Sequence, residues 1–558
     1  MTTTPTVPSL WHADQQLILS RERRARSLLL LAGAVVVVMV AMPLLIILFS
    51  WGSDQSDVWH HLINTQLSTL LRNTLVLALG VGAGVIVIGV SLAWMTVMLE
   101  FPGRRWLDWA LMLPMAMPAY VLAFVVLGMY DFSSPLQYWL RATFGLHHAV
   151  DIRSEGTVIA ILVLVLYPYV YMLARSAFLA QGSDVMEAAR VLGCSPVKAF
   201  FRVALPMARP AIAAGASLAL METLADFGTV AIFNYDTFTT AIYKAWFGLF
   251  NLQAAAQLAS LLLLFVALAL TAERRSRGAG HYVQNGRLQH FYRIRLPRSL
   301  AWLCTTYCLL VLGFAFFAPV GQLISWTVAQ GVEAVNMRYL SLLWRTLSLG
   351  AMAALLTVTL AILVAFCRRM VTGAGWRRFY ALATLGYALP GSVLAVGIML
   401  SFAWIDNVLL GTLQRVFGFA QQQWLVGGVF VLIAAYWVRF LAVAAGPVDA
   451  GLDRIRPTIP EAARSLGVSG PQLLWRIYLP MLRPGLLTAL ILVFVDVMKE
   501  MPATLLLRPF GWDTLAVRIF ELTSEGEWYR AALPALTLVV VGLVPVAQAV
   551  YQSGRRRY

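Results

Sequence analysis

The sequence predicts an all-α polytopic membrane protein of about twelve transmembrane helices, arranged as two parallel six-helix repeats. Three observations predict it. The composition is 60% hydrophobic and only 12% charged, with a mean hydropathy of +0.76, where a soluble chain carries about a quarter charged residues. Apolar runs of the ~20 residues needed to cross hydrocarbon recur along the chain. One charged segment also occurs twice: residues 187–210 read EAARVLGCSPVKAFFRVALPMARP and residues 461–484 read EAARSLGVSGPQLLWRIYLPMLRP, identical at 13 of 24 positions without a gap. A repeat of this kind means two equivalent halves.

The apolar runs place spans near 28–49, 70–98, 107–130, 157–180, 210–233, 252–271, 300–327, 344–367, 379–403, 424–446, 485–507 and 532–551. Those at 210–233 and 485–507 carry acidic residues. Six spans per half is an even number, so both halves enter the membrane in the same orientation. Glu187 and Glu461 are 274 positions apart, and similar offsets align PAYVLA at 118–123 with PGSVLA at 390–395, and Asp236-Thr237 with Asp513-Thr514. The expected organisation is a tail at 1–27, a first repeat at 28–271 with its island at 184–210, a basic linker at 272–299, a second repeat at 300–551 with its island at 458–484, and a tail at 552–558.

Net charge is +16. Arg23, Arg24 and Arg26, Arg104 and Arg105, the linker arginines from Arg274 to Arg298, Arg368, Arg369, Arg377 and Arg378, and Arg555 to Arg557 all fall on one side of twelve spans. This positive-inside pattern puts both termini, the linker and both islands in the cytoplasm. The basic charge therefore reports topology and some attraction to anionic lipid, and no nucleic-acid partner is expected. The first apolar run reads as a retained span rather than a removable signal. Cys194, Cys304, Cys308 and Cys367 suggest no disulfide framework; Cys304 and Cys308 share a helix face and read as packing residues.

Each island carries helix punctuation. Asp184-x-x-Glu187 and Thr458-x-x-Glu461 fit capping boxes. Gly193 and Gly467 suit the left-handed turn that closes a helix. Ser195-Pro196 reads as an N-cap followed by Pro at N1. Pro206 and Pro480 are expected to end the second island helices, with Phe200, Phe201, Leu474 and Trp475 as anchors. A partnerless amphipathic loop would explain one copy; two copies with the same Glu-Ala-Ala, Gly and Leu-Pro spacing favour a specific partner.

This pattern resembles the cytoplasmic loop of binding-protein-dependent ABC importer permeases, here in two fused copies. The resemblance implies that Glu187, Ala188, Ala189, Gly193, Glu461, Ala462, Ala463 and Gly467 contact the ATPase subunits, with the glycines supplying the turn and the alanines close approach. It implies two copies of an ABC ATPase and an extracytoplasmic solute-binding protein as partners, no cofactor on this chain, and a bacterial cytoplasmic membrane location. Only three lysines occur, Lys198, Lys244 and Lys499, and none follows a glycine. A GxxxxGK[ST] phosphate loop is therefore absent, so ATP is expected to be used by the partners.

The segments PMAMPAYVLAFV at 114–125, METLADFGTVAIFNYDTFTTAIYKAWFG at 221–248, LPGSVLAVGI at 389–398 and KEMPATLLLRPFGWDTLAVRIFELTSEG at 499–526 look like those of the fused permeases of ferric iron importers. Thiamine importer permeases are the nearest rival, and importers of phosphonate, sulfate and polyamines share the fold. The residues offer one candidate pathway. Glu222 and Asp226, and their mates Asp496 and Glu500, lie four apart, and carboxylates at mid-membrane depth should face the bundle interior or a water-filled cavity. Oxygen ligands suit a hard cation. The alternative is that they bond internally to helix ends, to Lys499 or to an arginine. No metal site is assigned; His60-His61 and His147-His148 read as solvated outward loops, and no histidine lies in a span. A secondary transporter is a remote alternative, since it has no use for the repeated islands.

Overall fold

A computed structural model describes residues 7–145, 148, 151–277, 293–331, 335–370, 380, 382, 386, 389–418, 425–468 and 471–555. Most of the linker, with Gly278, Gly280 and Gly286, lies outside them, as do Arg377, Arg378, Arg556, Arg557, His147, His281 and His290.

The described chain is almost wholly helical. The first repeat holds α1 (Val7–Phe49), α2 (Ser56–Thr65), α3 (Leu67–Met98), α4 (Arg104–Ala110), α5 (Ala119–Met129), α6 (Pro135–Phe144), α7 (Glu155–Val191), α8 (Pro196–Ala199), α9 (Leu205–Ala225), α10 (Gly228–Ile232), α11 (Phe238–Tyr243) and α12 (Leu252–Arg277). The second holds α13 (Arg298–Leu312), α14 (Ala318–Gln330), α15 (Met337–Met370), α16 (Gly391–Phe417), α17 (Val429–Asp453), α18 (Thr458–Ser465), α19 (Pro471–Leu473), α20 (Leu479–Lys499), α21 (Pro502–Leu507), α22 (Leu515–Ser524) and α23 (Trp528–Arg555). The only strands among the described residues pair Leu99 with Ile294 and Glu100 with Arg295, in parallel.

Among the described residues, eleven helices are long and apolar enough to cross a membrane. The pair Arg104–Ala116 and Ala119–Met129, bent by 88°, makes twelve if it is one broken span. Two spans depart from expectation: those expected at 210–233 and 485–507 are Val197–Ala225 and Leu474–Lys499. They start inside the islands and stop eight residues early. The reason lies in Pro206 and Pro480, which do not end their helices. A π turn, Phe200–Ala204 or Leu474–Tyr478, stands two residues before each proline. A third, Gly313–Phe317, precedes Pro319 in the same way. A proline ring normally collides with the carbonyl four residues back and removes a ladder hydrogen bond. The π turn has already displaced that carbonyl, so the helix continues.

The chain forms two compact units that cut across the repeats. The larger comprises Ile47–Thr346, Leu389–Val396 and Met498–Tyr558; the smaller comprises Met1–Ile46, Leu347–Ala388 and Gly397–Val497.

In the larger unit, α3 lies against α7 along a seam of Gly80, Gly84 and Gly89, which face Ile159, Val163 and Val170. Added methyl groups would come within 2.5–2.7 Å of those side chains. Small residues let helices approach where no hydrophobic effect drives them together. Another face of α7 carries Tyr167, Tyr171 and Arg175 at four-residue spacing. Tyr167 donates to the Leu111 carbonyl at 2.9 Å and Tyr171 to the Asp108 carbonyl at 2.8 Å. Arg175 grips the Asp108 carboxylate with both prongs, at 2.5 and 2.6 Å.

The smaller unit uses related devices. Cys367 Sγ donates to the Leu29 carbonyl at 3.2 Å, tying α15 to α1. The fully buried Asp406 accepts from the Leu425 and Val426 amides, the latter at 2.9 Å. Arg368 pairs with Asp449 at 2.7 Å, and Tyr380 donates to the same carboxylate. Arg369 donates to the Leu452 and Ile455 carbonyls at 2.7 and 2.8 Å, closing the end of α17.

The Arg175–Asp108 pair is almost fully buried. Removing one partner strands a buried charge, at a cost of about 3–5 kcal/mol. Arg175→Ala is expected to lower the unfolding temperature of the detergent-solubilised protein strongly, and Arg175→Met with Asp108→Leu to recover most of the loss. A melting curve for Arg175→Ala that overlays the wild type would contradict this.

Candidate functional site

The islands are built by the same backbone device. In the first, α7 runs to Val191, Gly193 sits at φ +80°, and the Cys194 amide donates back to the Ala189 carbonyl at 2.9 Å. In the second, α18 runs to Ser465, Gly467 sits at φ +83°, and the Val468 amide donates to the Ala463 carbonyl at 2.9 Å. The Gly467 amide adds a bond to the Arg464 carbonyl at 3.0 Å. This is the Schellman closure, which requires a left-handed residue where glycine has no steric penalty. The expectation for both glycines holds.

The motif letters then separate by role. Ala189 and Ala463, the third residues, are buried and supply the closing carbonyls. Glu187, Ala188, Glu461 and Ala462 are exposed. A Cβ added at Gly193 or Gly467 would meet nothing within 4 Å. Leu192 and Leu466, just before the glycines, are each 83% exposed. Phe201 and its mate Trp475 are exposed, whereas Phe200 packs at 4.6 Å from Trp94 and is an anchor. Each island thus presents an apolar knob beside a glutamate, in the same pattern twice.

The capping boxes do not form. Asp184 lies inside the unbroken helix α7, which enters the first island directly from the membrane. Thr458 is the first helical residue of α18, with Pro457 as N-cap and no side-chain cap; the first amides donate instead to the Arg456 and Pro457 carbonyls. The fixed φ of proline already sets the helical entry. Ser195 is the N-cap expected, its hydroxyl accepting from the Lys198 amide at 3.4 Å.

From Pro196 to Ala225, and from Pro471 to Lys499, the chain is continuously helical. At ~1.5 Å per residue each helix is about 40–45 Å long. The acidic residues mark the far ends. Because the helices stop at Ala225 and Lys499, the four-residue spacing does not place Glu222 and Asp226 on one helix face, nor Asp496 and Glu500. Asp226 has extended ψ, and its carboxylate accepts from Thr229 Oγ1 at 3.0 Å and the Val230 amide at 3.2 Å. Thr239 Oγ1 donates to the Asp226 carbonyl at 2.8 Å. The buried Glu500 accepts from the Ala503 amide at 3.1 Å, and Thr504 Oγ1 donates to its carbonyl at 2.6 Å. Asp226 and Glu500 therefore cap the short helices α10 and α21, satisfying amides a broken span leaves open. Glu222 and Asp496, one turn before the breaks, are half-buried.

Within the larger unit three breaks meet. Lys499 Nζ donates to the Met115 carbonyl, at the bend before α5, at 3.1 Å. Tyr120 hydroxyl lies 3.5 Å from the Lys499 carbonyl. The Met501 methyl and Tyr120 close on Gly228, where a Cβ would lie 2.6 Å from each. Phe227 packs 5.5 Å from Phe520. Sequence reasoning missed this junction of 115–120, 226–228 and 499–501. Its residues lie in the segments that carried the family resemblance, but contacts across 384 positions leave no local trace.

His60 is within hydrogen-bond reach of Asn64 on α2, at 3.3 Å. Among the described residues no three His, Cys, Asp or Glu side chains group as metal ligands, and all four cysteines are free.

Comparison with known proteins agrees with this double architecture. The Fe(3+)-transport system permease protein FbpB 2 of Haemophilus influenzae is 29% identical over 506 residues, covering 87% of this chain and 90% of the relative. The ferric transport system permease protein FbpB of Actinobacillus pleuropneumoniae is 25% identical over 453 residues, 77% of this chain and 63% of the relative. A shorter match, 34% over 146 residues, covers 26% of this chain and 50% of a protein of Nephroselmis olivacea named probable sulfate transport system permease protein cysT. The family described as binding-protein-dependent transport system inner membrane component matches residues 85–272 and again 358–558. Two matches, one over each charged island and its broken span, show that the chain belongs to this family, as two permease repeats fused into one.

Proposed function

We propose that this chain moves ferric iron, delivered by an extracytoplasmic solute-binding protein, into the cytoplasm by alternating access. Two ABC ATPase subunits would supply the energy, one on each island, and both termini would be cytoplasmic. The observation that carries the reading is the pair of Schellman-closed islands, each exposing a glutamate and a leucine knob. Each is followed, after one turn, by a helix that ends at an acid-capped break. An ATPase that displaces an island moves a rigid helix, and so moves the break. The relatives named for ferric transport support iron as cargo; a sulfate permease among the matches makes substrate the point to test.

The chain carries no covalent step. Glu187, Ala188, Gly193, Glu461, Ala462 and Gly467 would meet the ATPases, while Ala189 and Ala463 would hold the turn from within. Glu222 and Asp496 would line the pathway one turn before the breaks. Asp226 and Glu500 would maintain the breaks through their caps.

Three outcomes follow. Cells lacking the gene should lose uptake of radioactive Fe(III) and keep uptake of thiamine, sulfate and 2-aminoethylphosphonate; normal iron uptake in a strain without another iron importer would refute iron as cargo. Gly193→Val with Gly467→Val places each new Cβ where no atom lies within 4 Å, though each strained φ costs about 1–2 kcal/mol. The variant should fold but fail to co-purify with the ATPase subunits, and undiminished co-purification would refute the docking assignment. Asp226→Ala should cost about 0.5–2 kcal/mol through its lost cap, visible in the melting curve, whereas Glu222→Gln with Asp496→Asn should transport at least about tenfold more slowly per folded complex. Unchanged transport in the latter would remove both residues from the pathway.

A further inference from the structure

Within the larger unit, the chain leaving α3 meets the chain entering α13 along one seam. Leu99 and Glu100 pair in parallel with Ile294 and Arg295, so the end of the linker is held against the first repeat by backbone bonds. Thr305 Oγ1 on α13 donates to the Pro102 carbonyl, just before α4, at 2.9 Å. These two ties bring arginines together from both sides: Arg104 and Arg105 from one, and Arg293, Arg295 and Arg298 from the other.

The acids nearby do not balance them. Residues 293–306 contain no Asp or Glu, and residues 99–110 contain Glu100 and Asp108. Asp108 is taken by Arg175. Glu100 lies 3.4 Å from Arg104 and 4.0 Å from Arg293. Arg105, Arg295 and Arg298 are exposed and form no ion pair among the described residues. Beside them the surface turns aromatic. Trp106 and Phe317 stack with centroids 6.1 Å apart and planes 5° from parallel, and both are exposed, as is Trp302 on α13. Arg298 stands two turns before Thr305 on the same face of α13, whereas Phe317 lies beyond Thr305, farther into the span Arg298–Gln330. Along the seam the arginines therefore come first and the exposed rings follow.

We infer that this seam binds an anionic phospholipid of the adjoining leaflet, with its phosphate on Arg105, Arg295 and Arg298 and its acyl chains over Trp106, Trp302 and Phe317. The inference does not depend on the cargo. Guanidinium groups match phosphate oxygens in paired, charge-assisted hydrogen bonds. Like charges fixed side by side by a backbone bridge repel one another, and an anion relieves that repulsion. Basic pockets between membrane helices take up anionic headgroups, and tryptophan settles at headgroup level. A dissolved phosphate would use the arginines and leave the rings uncovered; a lipid uses both. The site lies where the linker is fastened to the first repeat, so the bound lipid braces the join between the two repeats.

The test titrates the full-length protein, in delipidated detergent micelles, with phosphatidylglycerol, and reads the bound fraction by native mass spectrometry. Arg105→Gln with Arg298→Gln should raise the half-saturating lipid fraction at least about tenfold. Arg23→Gln with Arg24→Gln and Arg26→Gln, which removes charge from the N-terminal tail, should bind like wild type. Phosphatidylcholine should not saturate the site, and millimolar inorganic phosphate should not displace the lipid. In the wild-type protein a photoreactive phosphatidylglycerol should cross-link within 105–109 or 298–302, a readout that needs no variant to fold. Unchanged binding in the seam variant, an equal loss in the tail variant, equal saturation by phosphatidylcholine, or cross-links only elsewhere would overturn the inference. Displacement by inorganic phosphate would reassign the arginines to a dissolved anion and overturn the lipid assignment.

Discussion

The structure depends on one constraint: inside a bilayer no water is available to satisfy a broken backbone ladder. A continuous helix satisfies itself, but this protein breaks its helices repeatedly, and the breaks at 116–119, 225–228 and 499–502 carry side-chain partners. Tyr167 and Tyr171 take up carbonyls at the bend of the third span. Lys499 takes up another at the same bend. Asp226 and Glu500 take up amides where the helices starting in the islands stop. The scarce polar residues of an apolar chain are thus spent largely on backbone groups, and a charge near a break is first a structural partner.

The same constraint shapes the passage from each island into its span. The π turns keep Pro206 and Pro480 from breaking the ladder, so each island passes into its span without a joint. A left-handed glycine, Gly193 or Gly467, precedes each of these helices and a capped break ends it. In the function proposed above, such a continuous helix would carry a displacement of the island to the break. The first island is joined on both sides to membrane helices, since α7 also runs through it. The second is not, because α17 ends at Asp453 and α18 begins at Thr458. The two halves are therefore equivalent in plan and unequal in detail.

Much of this was legible in the sequence. Hydropathy gave the number of spans, and the repeat gave the two halves and the glycine turns, because a left-handed closure needs a residue type that stands out. The span ends at 225 and 499 were not legible, because a π turn has no residue signature and the prolines pointed the other way. The capping boxes were misread for a related reason: Asp-x-x-Glu marks a helix start only if the preceding chain is not already helical, and α7 is. Bonding of the carboxylates to helix ends stood among the alternatives, and Asp226 and Glu500 bond in that way. Their division into caps and half-buried residues needed the break positions. One signal was available and unused: Tyr167, Tyr171 and Arg175 form a polar stripe at four-residue spacing in an otherwise apolar helix.

The central claim is that the duplicated islands are two separate docking sites for the motor. Native mass spectrometry of the complex purified through this chain tests it most directly, by counting the ATPase subunits bound to one permease. The account predicts two copies per chain. A complex that retains one copy, or none under conditions that preserve transport, would contradict it.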